Sequence, residues 1–258
     1  MPIWLIMLVL APIVGSFLGV MLRRQERDGQ WVWGRSVCEG CRQAIAPYDL
    51  VPIVSFVALG GRCRQCGAPI CWFHPGIELA SVAVAAWAIS AGDGAWLVAS
   101  CLFGWLLLAL ACADFSSGQL PDVLTLPLLV LGLGCTALCM PDATTDHALA
   151  CAAGYLLFRA VAALYERLRG HAGLGQGDAK LMAALGAWIG LAGLPDLLLI
   201  AAGTALVAAL ALRLAGYRID ARTRLPFGPF LAFAAWTLWL YAPQNVLKLS
   251  PYLSSILK

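Results

Sequence analysis

Residues 95–122 read AWLVASCLFGWLLLALACADFSSGQLPD, an uncharged and mostly apolar run that ends on Asp114, followed by a short polar break and a second aspartate, Asp122. A helix needs roughly 20 apolar residues to cross the hydrocarbon of a bilayer, so 95–113 reads as a membrane span closed by a carboxyl. An ionisable group at membrane depth is costly unless it is paired or wet, and its default reading is a functional site. The pattern recurs in mirror order farther on. Gly175-Gln176-Gly177-Asp178-Ala179-Lys180 opens the apolar run LMAALGAWIGLAG at 181–193.

Similar runs occur at 3–22, 77–91, 121–140, 148–165, 195–212 and 228–243. The 258-residue chain is 61% apolar and 12% charged, with a mean hydropathy of +0.82. A soluble domain carries about 25% charged residues, so the expected fold is an all-α polytopic membrane protein of about eight transmembrane helices. The 181–193 run is short and is closed by Pro195. It leaves two readings open, a short tilted span or a re-entrant helix. The first run lacks a basic flank and a small-residue cleavage site before a polar domain, which favours a retained span over a signal peptide.

Threading eight spans sorts the charge. Segments 23–76, 114–120, 166–180 and 213–227 fall on one side. They hold Arg23, Arg24, Arg27, Arg35, Arg42, Arg62, Arg64, Arg167, Arg169, Lys180, Arg213, Arg218, Arg222 and Arg224, which is 14 of the 17 basic residues. Lys248 and Lys258 fall opposite. The short connections between spans carry Asp93, Asp142, Asp146 and Asp196 but no basic residue. The positive-inside rule makes the basic side cytoplasmic and the N-terminus external. Asp114 and Asp178 then lie at similar depth, at the cytoplasmic ends of the third and sixth spans.

Five of the ten cysteines crowd into the polar segment 23–76. Cys38-Glu39-Gly40-Cys41 and Cys63-Arg64-Gln65-Cys66 form two C-x-x-C pairs, a spacing close to that of tetrathiolate zinc sites. Four sulfur ligands favour a closed structural Zn²⁺ site with no open catalytic position. A cytoplasmic setting argues against stable disulfides. Gly40, Gly61 and Gly67 are expected to supply the turns. Cys71 reads as a spare thiol, and His74 as a surface or packing residue.

The aspartates admit two readings. In one, the carboxyls of Asp114 and Asp178 meet, share a proton and activate a water, since two adjacent carboxylates cannot both ionise cheaply. In the other, each separately caps a helix. Gly173, Gly175 and Gly177 are expected to give a sharp turn and close backbone approach. Asp178, nearer a helix N-terminus, is expected to hold the ionised form more often. Asp122 reads as a helix-terminal charge.

Taken together, these segments resemble the type IV prepilin peptidases, the GxGD-type aspartic proteases also called type 4 leader peptidases. Matching stretches are Ser16-Phe17-Leu18-Gly19-Val20, the run Asp49–Ser55 between the cysteine pairs, and Gly61–Ile70. Further matches are Glu78-Leu79, Asp114 through Leu120-Pro121-Asp122, Gly175–Leu181 and Pro226-Phe227-Gly228-Pro229-Phe230. Trp72-Phe73-His74-Pro75 departs from the family's tyrosine-containing run. The resemblance implies cleavage of the basic leader of prepilins or pseudopilins after glycine, at the cytoplasmic face of the bacterial inner membrane. It also implies N-methylation of the new terminus from S-adenosylmethionine, in the service of type IV pilus or type II secretion assembly. Asp114 and Asp178 would be catalytic, and Cys38, Cys41, Cys63 and Cys66 would hold zinc. The expected organisation is a first transmembrane helix (1–22), a cytosolic cysteine-rich module that is a candidate methyltransferase region (23–76), and a membrane-embedded peptidase domain (77–258). The expected partners are the pilin-type substrate and membrane lipid, with no nucleic acid. Two other readings compete, a proton-coupled small transporter and a non-catalytic zinc-knuckle membrane adaptor. Against the transporter, both aspartates fall at one edge instead of the midplane.

Overall fold

Every apolar run forms a helix. The computed structural model describes residues 2–28, 34–170, 175–217 and 226–241. Gly173, Arg218, Arg222, Arg224, Lys248 and Lys258 lie outside the described residues, as do the side chains of Arg27 and Arg169. The helices are α1 (Ile3–Asp28), α2 (Val54–Ala58), α3 (Phe73–Ala91), α4 (Gly94–Ser117), α5 (Asp122–Cys139), α6 (Thr144–Arg169), α7 (Gln176–Ile189), α8 (Leu194–Leu214) and α9 (Gly228–Tyr241). Among the described residues there are no strands, only two isolated antiparallel bridges.

Helix boundaries overrun the apolar runs wherever the flanking residues favour helix. α1 continues through Arg23, Arg24 and Gln25, which are good helix formers. α3 starts at Phe73, with Pro75 in its first turn where a missing N–H costs nothing, so Glu78 lies inside the helix. α4 does not loosen at Ser116-Ser117. Both hydroxyls bond back to the Ala113 carbonyl, at 3.3 and 2.8 Å, and the helix ends only at Gly118, whose φ is +64°. Asp114 therefore sits in the last turn of α4.

Among the described residues, six stretches are long and apolar enough to cross a membrane: Ile3–Gln25, Phe73–Ala91, Gly94–Ser117, Asp122–Cys139, Pro141–Leu168 and Leu191–Leu214. α7 and α9 have 14 residues each. At 1.5 Å per residue each is about 21 Å long, short of the roughly 30 Å of hydrocarbon.

The chain divides into two compact units, Met1–Trp105 and Leu106–Lys258. In the first, α1 packs against α3 through Gly15 and Gly19, a small-xxx-small pair that lets helix backbones approach closely. A Cβ at Gly15 would stand 2.7 Å from the Glu78 Cα and one at Gly19 2.9 Å from the Ile77 side chain. Trp105 donates its indole N–H to the Ser81 carbonyl at 3.1 Å.

The second unit is built around α7. Ala179 and every residue from Leu181 to Ile189 are buried, by α5, α6 and α9. A helix too short to face lipid along its whole length is thus surrounded by protein. Small residues bring the neighbours close: a Cβ at Gly186 would lie 2.7 Å from the Ala150 backbone of α6, and one at Gly132 would strike the Trp188 ring. Trp188 donates to the Leu128 carbonyl of α5 at 2.8 Å and meets Trp239 of α9 edge to face at 5.3 Å. At the far end of α7, His147 bonds the Ala187 carbonyl at 2.9 Å, satisfying one of the carbonyls that a helix C-terminus leaves open.

Gly186→Val is expected to destabilise this unit by about 1–3 kcal/mol or more through overpacking. Gly134→Ala, where a Cβ meets nothing within 4 Å, is expected to be neutral or slightly stabilising. Thermal unfolding midpoints in one detergent would compare them, and equal midpoints would contradict the packing described.

Candidate active site and metal centre

Three elements of the second unit converge on Asp114 and Asp178. Asp114 projects from the last turn of α4 and is 6% exposed. Asp178 is the third residue of α7, ahead of that helix's apolar stretch and outside the six spans. The start of α9 supplies the third element. The Gly228 backbone N–H donates to Asp114 Oδ2 at 2.8 Å.

The loop that follows α4 is drawn onto α7 at two points. A Cβ at Gly177 would lie 3.0 Å from the Leu120 Cβ. Lys180 of α7 donates to both carboxylate oxygens of Asp122, at 2.7 and 3.0 Å. Asp122 opens α5 as the helix-terminal charge expected, and its cationic partner is what the sequence reading did not supply. Exposed pairs of this kind are worth about 0–1 kcal/mol, so this one fixes register more than stability.

Gly175 and Gly177 serve proximity rather than a turn. Gly175 is extended, with φ −69°, and a Cβ there would come within 3.3 Å of Asp178 Oδ2. Burial, and after it the negative charge of Asp114, push the Asp178 carboxyl up to about 6, against a backbone hydrogen bond from Gly175. The two carboxyls are therefore within electrostatic reach. The direction reverses the sequence expectation that Asp178 is the more ionised, because burial and a like charge outweigh the field of a helix N-terminus. Asp114 accepts a backbone N–H at the start of α9, which fixes the direction in which its carboxyl points. Gly228 is the residue that sequence reasoning missed in its role. The one available signal was the stretch Pro226-Phe227-Gly228-Pro229-Phe230, a glycine between prolines at the start of an apolar helix.

The candidate metal centre lies in the first unit. The sulfurs of Cys38, Cys41, Cys63 and Cys66 all fall within 4.8 Å of one another. Cys38 and Cys66 stand 3.8 Å apart, far beyond the roughly 2.05 Å of a disulfide. That spacing equals the edge of a tetrahedron with metal–sulfur bonds of about 2.3 Å, so the residues fit a bound metal ion.

Each pair sits in the same backbone knuckle. Val37 bridges Ala44, and Arg62 bridges Pro69. Cys38 N–H donates to Gln43 O and Arg42 N–H to Cys38 O, while Cys63 N–H donates to Ala68 O and Gly67 N–H to Cys63 O. The residue after the second cysteine is left-handed in both knuckles, Arg42 at +59° and Gly67 at +69°. Arg42 thus takes the strained position for which Gly40 was expected. The N–H groups of Cys66 and Gln65, and then the Cys38 thiol, pull the Cys63 thiol down to about 7, whereas against a backbone hydrogen bond from Ala68, burial and the facing thiols push Cys66 up to about 11, so the cluster shares its protons unequally.

Around the centre, Arg64 grips Asp49 through two nitrogens, at 2.7 and 3.0 Å, and its hydrogen bonds hold the Asp49 carboxyl below the usual range. Cys71 accepts a hydrogen bond from Arg23 at 3.1 Å. His74 lies beside Phe73 and outside the sulfur cluster.

Gly228→Ala is expected to lower turnover at the aspartates by about 10²-fold, because the new methyl would sit 2.7 Å from Asp114 Oδ2 and displacements of this size in reacting groups carry that cost. An initial-rate assay with unchanged metal content would check it, and near-native turnover would remove Gly228 from the site.

Residues 9–91 match the bacterial peptidase A24 N-terminal domain and residues 101–212 the type IV leader peptidase family. The chain is 40% identical to the prepilin leader peptidase/N-methyltransferase of Burkholderia pseudomallei strain 1026b, over 93% of this chain and 86% of the relative. It is 34% identical to the protein of that name from Pseudomonas aeruginosa, over 92% and 90% of the two chains, and 34% identical to that of Dickeya chrysanthemi, over 89% and 90%. No solved structure matches. A multi-pass helical chain with these matches over most of its length belongs to the type IV leader peptidase family.

Proposed function

We propose that the chain is a bifunctional prepilin peptidase, an intramembrane-type aspartic endopeptidase that also N-methylates its product. It would remove the basic leader of a type IV prepilin or pseudopilin after glycine, on the cytoplasmic face of the bacterial inner membrane. The observation that carries the reading is the convergence of Asp114, Asp178 and the Gly228 N–H in a chain of this family.

In this reading the eight helices α1 and α3–α9 all lie in the membrane, with α7 and α9 shielded by their neighbours and the N-terminus external. Residues 1–22 form the first span, 23–76 the cytosolic module and 77–258 the peptidase domain. The basic segments share the cytoplasmic side, so the aspartates face it too.

Asp114, oriented by the Gly228 N–H, takes a proton from a water positioned between the carboxyls. The water oxygen bonds to the scissile carbonyl carbon while Asp178 gives its proton to the carbonyl oxygen. A neutral tetrahedral intermediate forms without a covalent enzyme bond. Its collapse breaks the C–N bond, Asp114 passes its proton to the leaving amine, and Asp178 recovers one from the collapsing diol. S-adenosylmethionine, when bound, supplies a methyl group whose C–S bond breaks as the new C–N bond forms, with loss of one proton from the amine. Cys38, Cys41, Cys63 and Cys66 would hold a structural Zn²⁺ that fixes the module.

The purified protein and its Asp114→Ala and Asp178→Ala variants would be incubated with a prepilin and labelled S-adenosylmethionine. Wild type is expected to cleave and transfer label, and each variant to lose cleavage by at least about 10³-fold. Cleavage by either variant at the wild-type rate ends the dyad assignment. Zinc analysis of a Cys38→Ser/Cys63→Ser double variant is expected to fall from one ion per chain to none, and unchanged zinc would remove the metal site.

A further inference from the structure

A cavity of about 390 Å³ opens within the first unit, walled by the basic end of α1, the two cysteine knuckles and the first turns of α3. Its volume falls in the roughly 300–1,000 Å³ range of small-molecule sites. None of its walls comes from the unit that carries Asp114 and Asp178. The proteolytic reading therefore leaves it unused.

The lining is chemically mixed in a particular way. Glu78 contributes a carboxylate that is only 6% exposed. One of its oxygens accepts the Ile53 N–H at 2.8 Å, and the Ser16 hydroxyl of α1 also bonds to it. Arg23 and Arg35 bring positive charge to the same cavity, and Tyr48 and His74 bring flat rings. A ligand made for this lining carries a cation to meet Glu78, a carboxylate to meet an arginine, and a planar ring system to lie against the aromatics. An adenosyl sulfonium amino acid has all three. A phosphate-bearing nucleotide would match the rings and the arginines but has no cation to set against Glu78.

We propose that this cavity binds the methyl donor, S-adenosylmethionine, with Glu78 as the carboxylate that faces its positive charge. The assignment rests on the methyltransferase reading above and adds its binding site. Ile53 is held at a φ of +62° while its N–H is spent on Glu78, so the loop between the knuckles is tied to α3 beside the cavity. The knuckles then act as one wall of the donor site, which gives the metal centre a bearing on methyl transfer distinct from proteolysis.

Calorimetric titration of the purified full-length protein with S-adenosylmethionine tests the site directly. Glu78→Gln keeps the shape and an acceptor for the Ile53 N–H but removes the charge. It is expected to weaken binding by about 10-fold or more, with one zinc per chain retained and the ratio of methylation to cleavage reduced. Binding within twofold of wild type overturns the assignment. Ultraviolet cross-linking of radiolabelled S-adenosylmethionine to the wild-type protein, followed by peptide mapping, needs no variant to fold. Label within 16–78 supports the site, and label confined to 106–241 overturns it. Cleavage by a wild-type protein that binds no S-adenosylmethionine would instead sink the methyltransferase reading itself and leave the peptidase standing.

Discussion

A carboxyl buried at the end of a membrane helix must find a partner, and the choice of partner decides what it can do. A lysine or arginine would neutralise Asp114 and leave it inert. Here the partner is a backbone N–H from the first residue of α9, at 2.8 Å, a donor that stabilises charge without carrying any. Much of the second unit can be understood as the means of bringing that N–H, Asp114 and Asp178 to one place. α7 is buried on every side and stapled to α5 by Trp188. Its first turn is fixed to the loop after α4 by Gly177 against Leu120 and by Lys180 on Asp122.

The close approach of helices is the structural counterpart. Water offers no drive for helix association inside lipid, so contact depends on packing and on backbones that can come near each other. Gly15 and Gly19 in the first unit, and Gly132, Gly154 and Gly186 in the second, each occupy a place where a methyl group would collide with a neighbouring helix or ring. These glycines are not flexible points. They are the positions at which the bundle is thinnest.

Much of this could be read in the sequence, and the limits have physical causes. Hydropathy located the six long helices and the two of 14 residues because burial of a whole helix imposes a long, one-dimensional signal. The C-x-x-C pairs revealed the sulfur cluster because the tight knuckle brings each pair together through local geometry alone. Contacts between distant segments were less visible. Gly228 on Asp114 and Lys180 on Asp122 join residues far apart in sequence, and no local pattern encodes their meeting. Asp114 reads in the sequence as the close of an apolar run, whereas Ser116 and Ser117 satisfy a helix carbonyl and carry α4 past it. The ionisation preference of Asp178 was misjudged because a helix terminus is legible in sequence while the depth of burial is not.

The bond between Gly228 and Asp114 spans 114 residues of chain, and this has a consequence for biogenesis. The two aspartates are synthesised and enter the membrane before α9 does. Until α9 arrives, Asp114 lacks the N–H that it accepts in the folded chain. On the proposed reading, the aspartate site is therefore assembled only after α9 has been made. A chain that stops before Gly228 would hold both acids without that donor.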